Sequence, residues 1–229
     1  MMSAAEQARA DATVLVLAKA PVPGRVKTRL CPPCSPEQAA TLAEAAIVDT
    51  LAAAVATPGV RPVLVLDGVP GAWVPNGIEI VPQVEGELGT RLAGAFAAVD
   101  GPAVLVGMDT PQVTPAVLRG AVEALLRPGT DAVLGHTVDG GWWIIGFRSP
   151  QPSAFIDVPM STAETGALQA KQLGDLGLSV VTLATETDVD TFTAARAVAL
   201  RAPATAFGRA FATTERELVA TPTRTGAQA

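Results

Sequence analysis

Apolar residues along this chain fall into two alternating patterns: short unbroken runs, and longer stretches in which they recur with helical spacing. Residues 14–17 (VLVL) lack polar alternation and are β-branched at every second position, which predicts a strand buried on both faces. Similar runs at 63–66, 78–81, 103–106, 132–134, 142–147 and 180–183 predict six more strands. Between them lie helical stretches. Ser35-Pro36-Glu37-Gln38 is a helix start, with Ser35 as N-cap, Pro36 at the first position and Gln38 placed to close a capping box. Leu42, Ala46, Ile47, Val48, Leu51 and Val55 continue that helix until Pro58-Gly59 stops it. Leu88, Leu92, Phe96 and Val99 mark a second helix, and Thr114-Pro115 opens a third carrying Val117, Leu118, Val122 and Leu125. A fourth is expected over 163–176, with Thr162 as its cap.

Strands separated by helices imply parallel pairs with right-handed crossovers, so the expected architecture is a three-layer α/β/α sandwich with a mainly parallel sheet. At 229 residues one core suffices. The expected division is a flexible segment over 1–12, one domain over 13–203, and a peripheral helix with a loose tail over 204–229.

Functional groups of such a fold gather beyond the carboxyl ends of its strands. Two features satisfy that placement. The loop after the first strand, A-P-V-P-G-R-V-K-T-R-L at 20–30, carries Arg25, Lys27 and Arg29 beside Thr28, and its prolines and Gly24 shape the backbone. Converging cations suit a diphosphate. Neither G-x-x-x-x-G-K-[ST] nor G-x-G-x-x-G occurs, so this is not one of the common phosphate loops. The second feature is Asp109, which follows an apolar strand and precedes Thr110-Pro111; it suits a divalent cation bridging to phosphate, or an Asx-turn.

Three weaker signals follow. Asp139-Gly140-Gly141 allows close approach of a ligand or of another backbone, with Asp139 able to orient an acceptor hydroxyl or act as base. Trp142 and Trp143 point to opposite faces of a strand, so one contacts ligand and the other is core. Asp188 and Asp190, two apart, can add a metal ligand, or Asp190 can cap a helix starting near Phe192. His136 is a substrate contact at most, and Cys31 and Cys34 are read as ordinary thiols because a second ligand pair for zinc is missing.

Composition narrows the partners. A net charge of −6 argues against nucleic acid, which makes the basic cluster of Lys19, Arg25, Lys27 and Arg29 a local anion site on an acidic protein. The first residues carry Glu6, Arg9 and Asp11 where a signal peptide would be apolar, and no run approaches eighteen apolar residues, so a cytoplasmic protein without membrane insertion is expected. Low surface charge and Ala-rich helices allow a homodimer.

The ordered set A-K-A-P-V-P-G-R-V-K-T-R-L (18–30), E-G-E-L-G-T-R-L (85–92), V-G-M-D-T-P-Q (106–112), V-D-G-G-W-W-I-I-G (138–146), V-P-M-S-T (158–162) and D-V-D-T (188–191) resembles a small bacterial glycosyltransferase family of the arsenosugar-biosynthesis-associated type. That family lies in the nucleotide-diphospho-sugar transferase superfamily, with a GT-A-like fold. The resemblance implies that Ala20, Pro21, Gly24, Arg25, Lys27, Thr28 and Arg29 wrap a nucleotide and its phosphates, with Glu87, Arg91 and Trp142 adding contacts. It implies catalytic roles for Asp109, Asp139 and Lys27, and Mg²⁺ or Mn²⁺ held by Asp109 with Asp188 or Asp190. The usual spaced D-x-D of many glycosyltransferases is replaced here by M-D-T. The leading expectation is transfer of a sugar from a nucleoside-diphosphate sugar to a small acceptor. The alternatives are guanylyl- or cytidylyl-type transfer releasing pyrophosphate, and non-catalytic nucleotide binding.

Overall fold

The computed structural model describes residues 10–220. Seven strands, β1 (Ala12–Lys19), β2 (Val60–Asp67), β3 (Glu79–Pro82), β4 (Ala103–Gly107), β5 (Ala132–Thr137), β6 (Trp142–Phe147) and β7 (Val180–Glu186), form one sheet in the order β3-β2-β1-β4-β6-β5-β7. Six helices accompany it: α1 (Pro36–Ala56), α2 (Leu88–Ala97), α3 (Pro115–Leu126), α4 (Thr165–Asp175), α5 (Phe192–Arg201) and α6 (Ala206–Ala220). Short 3₁₀ turns occupy Thr28–Leu30 and Pro152–Phe155.

The fold is α/β with a mostly parallel sheet. The exception is β6, which runs antiparallel between β4 and β5. Only residues 138–141 separate β5 from β6, too few for the crossover a parallel pair requires. The apolar runs of the central strands are buried because helices cover both faces, whereas the edge strands β3 and β7 are exposed or half-buried over most of their length. Val14 and Val16 point to the side of α1 and α3, where they join Ile47, Leu51 and Leu118. Leu15 points the other way, to Leu92 and Phe96 of α2 and Leu173 of α4.

Helix α1 starts as its sequence predicts. Ser35 Oγ accepts from the Gln38 N–H at 3.2 Å and Gln38 Oε1 accepts from the Ser35 N–H at 2.9 Å. It is long and apolar enough, at a mean hydropathy of 1.6, to match a membrane span, a property that counting unbroken apolar runs does not reveal. Here 61% of that stretch is buried inside the molecule. Ala43, Ile47 and Leu51 face the sheet, while Leu42 and Ala46 face Val198 of α5 and Phe207 and Phe211 of α6. The many alanines let this helix be covered on two sides.

Two expected caps differ. Thr191, not Asp190, caps α5 by accepting from the Ala194 N–H at 3.2 Å. Thr162 accepts from the Glu164 N–H at 3.3 Å, one step before α4, whose own cap residue Glu164 makes no side-chain cap bond. Of the flexible segment expected over 1–12, residues 1–9 lie outside the described residues; the Asp11 N–H donates to Gly59 O at 2.7 Å and Ala12 opens β1. The loose tail expected after the last helix also lies outside them, at 221–229.

The start of α6 is capped from a distance: the Asp49 carboxylate of α1 accepts from the N–H groups of Ala206 (2.8 Å) and Phe207 (2.7 Å). A carboxylate there satisfies two terminal donors and complements the helix dipole. Asp49→Ala is expected to lower stability by about 1–2 kcal/mol, the usual worth of an N-cap, read as a reduced urea midpoint at unchanged slope. An unchanged midpoint would show that α6 is held without Asp49, by the Thr205 hydroxyl that accepts from the Gly208 N–H and by the packing of Phe207 and Phe211.

Candidate functional site

Among its parallel strands β1 to β4 the sheet has a position where the chain reverses its direction of growth. From β1 it proceeds to β2 and β3 on one side, then returns to place β4 on the other. A crevice opens beyond the carboxyl ends of strands at such a switch point. A cavity of about 370 Å³ lies there, lined by Lys19 at the end of β1, Asp67 at the end of β2, Asp109 after β4, Arg91 of α2 and Trp142 at the start of β6.

Charged groups in the cavity hold one another. Arg91 donates to Asp67 Oδ2 at 2.9 Å and to Gly86 O at 2.8 Å, and Lys19 stands 3.7 Å from the same Asp67 oxygen. Gln83 donates to Ala18 O at 2.9 Å and Val65 O at 3.2 Å, which fastens the segment after β3 to β1 and β2. Lys19 belongs to the basic cluster expected from sequence, whereas Asp67 and Gln83 are not among the expected residues. A signal for Asp67 was present, since it is the polar residue that ends an apolar strand.

On the other side of Asp109 stands the basic loop. The Ala20 N–H donates to Asp67 O at 2.8 Å, Gly24 turns the chain at φ 74°, and Val26 and Leu30 are buried as anchors. Between these anchors Lys27 adopts left-handed backbone, φ 48°, and its side chain is only 7% exposed. Its ammonium lies 2.5 Å from Asp109 Oδ1 and donates to Val189 O. The Val189 N–H in turn donates to Asp109 O at 2.7 Å. Among the described residues no backbone N–H donates to Asp109 Oδ1, which is shielded from solvent with the Lys27 ammonium against it. An Asx-turn therefore does not account for that oxygen.

The three loop cations differ in state. Arg29 pairs with Asp190 at 2.5 Å, Lys27 pairs with Asp109, and Arg25 is exposed with no ion pair among the described residues. Asp190 is tied to Arg29, while Asp188 is half-buried. Burial, then the negative charge of Asp139 and that of Asp109, push the Asp188 carboxyl up to about 6, against a backbone hydrogen bond and the Lys27 charge. Pro21 and Thr28 border the loop, and Thr28 opens its 3₁₀ turn. Glu87 precedes α2 and lines a neighbouring cavity of about 620 Å³ rather than the crevice.

The D-G-G segment meets protein. Gly140 has φ 94°, and a Cβ there would fall 1.9 Å from Ala163 O; the Gly166 N–H donates to Gly140 O at 2.8 Å. Of the two partners that glycines admit, the one present is the backbone entering α4. Asp139 Oδ1 accepts from Thr137 Oγ1 at 2.5 Å and from the Gly141 N–H at 3.1 Å, an Asx-type turn. The tryptophans divide as expected by face. Trp143 is 3% exposed and donates to Ala184 O at 3.0 Å, whereas Trp142 lines the crevice. His136 lies at the β5–β6 register shift and not in the crevice wall. Cys34 is buried, which pushes its thiol up to about 11 with a further contribution from Cys31.

Comparison with known proteins agrees with this architecture. No curated protein matches the chain. Among solved structures, a protein of Desulfovibrio desulfuricans G20, provisionally named a nucleotide-diphospho-sugar transferase, is 27% identical with a TM-score of 0.78, the match covering 92% of this chain and 96% of that one. CMP:2-keto-3-deoxy-manno-octonic acid synthetase, solved with CTP, shares 15% identity at a TM-score of 0.55, over 83% of this chain and 97% of that one. A cytidylyltransferase from Leptospira borgpetersenii shares 11% at 0.50, over 96% and 100%. The last two likenesses establish the fold alone. Residues 41–162, more than half of the chain, match the family described as an uncharacterized protein conserved in bacteria (DUF2064), and the chain belongs to that family.

Proposed function

We propose that this protein is a transferase that takes an activated nucleotide across the carboxyl ends of β1, β2 and β4 and moves a sugar from a nucleoside-diphosphate sugar to a small acceptor, with Mg²⁺ or Mn²⁺ at Asp109. The observation that carries this reading is the position of Asp109. Its carboxylate stands at the switch point of the sheet, between the cations of the 20–30 loop and the crevice walled by Arg91 and Trp142.

The residues divide the work. Arg25, exposed and unpaired among the described residues, is free to receive a phosphate, and Thr28 adds a hydroxyl on the same loop. Arg91 is fixed at two points, so it presents its remaining donors in a defined direction. Trp142 offers an apolar wall for a flat base or the face of a sugar. Asp139 Oδ1 is engaged twice, which leaves only its other oxygen to orient an acceptor hydroxyl.

The donors around Asp109 fit a hard divalent cation. They are oxygens, and the Asp188 carboxyl, raised by burial and then by the negative charges of Asp139 and Asp109, lies close enough to both to share their field. When bound, such a cation would neutralise the diphosphate and stabilise the departing nucleoside diphosphate.

Radiolabelled nucleotide sugars and nucleoside triphosphates, each incubated with Mn²⁺ and candidate acceptors, separate the chemistries. Release of nucleoside diphosphate from a nucleotide sugar is expected; pyrophosphate released from a triphosphate, with no nucleoside diphosphate formed from any sugar donor, would replace this reading by nucleotidyl transfer. Arg25→Ala is expected to weaken a nucleoside diphosphate by about 1.5–3 kcal/mol, the worth of a hydrogen bond to a charged group, and to leave the nucleoside unaffected. Equal losses for both in calorimetry would remove Arg25 from the phosphate site.

A further inference from the structure

The Asp109 oxygen that suits a metal ion already faces a cation. Lys27 places its ammonium 2.5 Å from Oδ1 and hydrogen-bonds Val189 O, with a side chain only 7% exposed. Asp188 and Asp139 add negative charge around it. The lysine is also held in left-handed backbone, a conformation that a residue with a Cβ adopts only when its surroundings impose it. Buried Val26 and Leu30 fix the loop on either side, so the side chain can move while the loop stays anchored. A divalent cation at Asp109 Oδ1, an oxygen shielded from solvent although the Asp109 side chain is partly exposed, would stand within a few ångströms of the ammonium, and like charges at that distance repel.

From this geometry we infer that Lys27 is the resident counter-ion of Asp109, that it and a divalent cation exclude one another at that carboxylate, and that the diphosphate of the incoming nucleotide draws Lys27 away, so nucleotide binds before metal. The inference rests on the metal and nucleotide roles proposed above. The diphosphate supplies the driving force because it offers the ammonium a concentrated negative charge and simultaneously completes the cation's oxygen ligands. Affinities for nucleotide and metal are thereby coupled in both directions. The device keeps Asp109 neutralised in the empty enzyme and makes the cation site depend on substrate.

The test is Mn²⁺ binding to the full chain, followed by electron paramagnetic resonance of free Mn²⁺ or by calorimetry. With Mn²⁺ alone, Lys27→Met is expected to bind at least tenfold more tightly than wild type, and Asp109→Asn added to Lys27→Met should abolish the gain. Lys27→Gln, which keeps a donor for Val189 O without the charge, should show the same tightening and guards against misfolding of the Met variant. Wild type should gain Mn²⁺ affinity when GDP, CDP, UDP and ADP are tried in turn. If wild type gains Mn²⁺ affinity with a nucleoside diphosphate but neither Lys27 variant binds Mn²⁺ alone more tightly, the counter-ion role is overturned and the functional reading stands. If no form binds Mn²⁺ even with nucleoside diphosphate, the metal assignment fails and this inference fails with it.

Discussion

The ammonium of Lys27 and the carboxylate of Asp109 meet where three distant parts of the chain converge: the loop after β1, the end of β4 and the segment after β7. Lys27 and Val189 are 162 positions apart, yet one proton of that ammonium reaches the Val189 carbonyl while the Val189 N–H reaches the Asp109 carbonyl. The junction is partly electrostatic and partly backbone pairing; the Lys27 side chain is sheltered from solvent, whereas that of Asp109 is partly exposed. The segment after β7 is held there a second time, because Gln112 donates to Thr187 O at 2.7 Å and to Glu186, whose carboxylate is gripped by Arg201 of α5.

Precision at this junction depends on a rigid platform. The central strands β1 and β4 are buried on both faces, so their carboxyl ends are fixed by close packing rather than by loop contacts. Helix α1 carries the load behind the basic loop. Its small residues let the sheet lie against one side and α5 with α6 against the other, and Leu30 at the end of the loop enters that second cluster. The loop is therefore anchored in the same hydrophobic core that organises the C-terminal helices.

Charge on this acidic protein is distributed by pairing. Of the loop cations, Lys27 and Arg29 are neutralised by acids from elsewhere in the chain, and Arg91 and Lys19 share Asp67. What remains for an anionic ligand is an exposed Arg25 and a set of cations whose partners can be exchanged. Recognition of phosphate at such a site is a competition between carboxylates of the protein and oxygens of the ligand, which lowers affinity for single anions and favours ligands with several charges together.

The sequence alone determined the strands, the capping of α1 and α3 and the mostly parallel sheet, because each follows from local spacing: apolar runs for strands, a capping box for α1, Thr114-Pro115 for α3. It also placed Asp109 and the basic loop beyond the carboxyl ends of strands, a consequence of element order. Tertiary structure decided the rest. That β6 inserts between β4 and β5 depends on which neighbours accept it, and that Gly140 serves the approach of residue 163 depends on where α4 docks. The tie between Lys27 and Asp109, the pairing of Asp190 with Arg29, and the inclusion of Lys19, Asp67 and Gln83 in the crevice are contacts between residues far apart along the chain. Residue type and spacing encode backbone conformation within a few turns, whereas an ion pair is chosen by which groups the packed sheet brings within a few ångströms, and only the folded chain sets that.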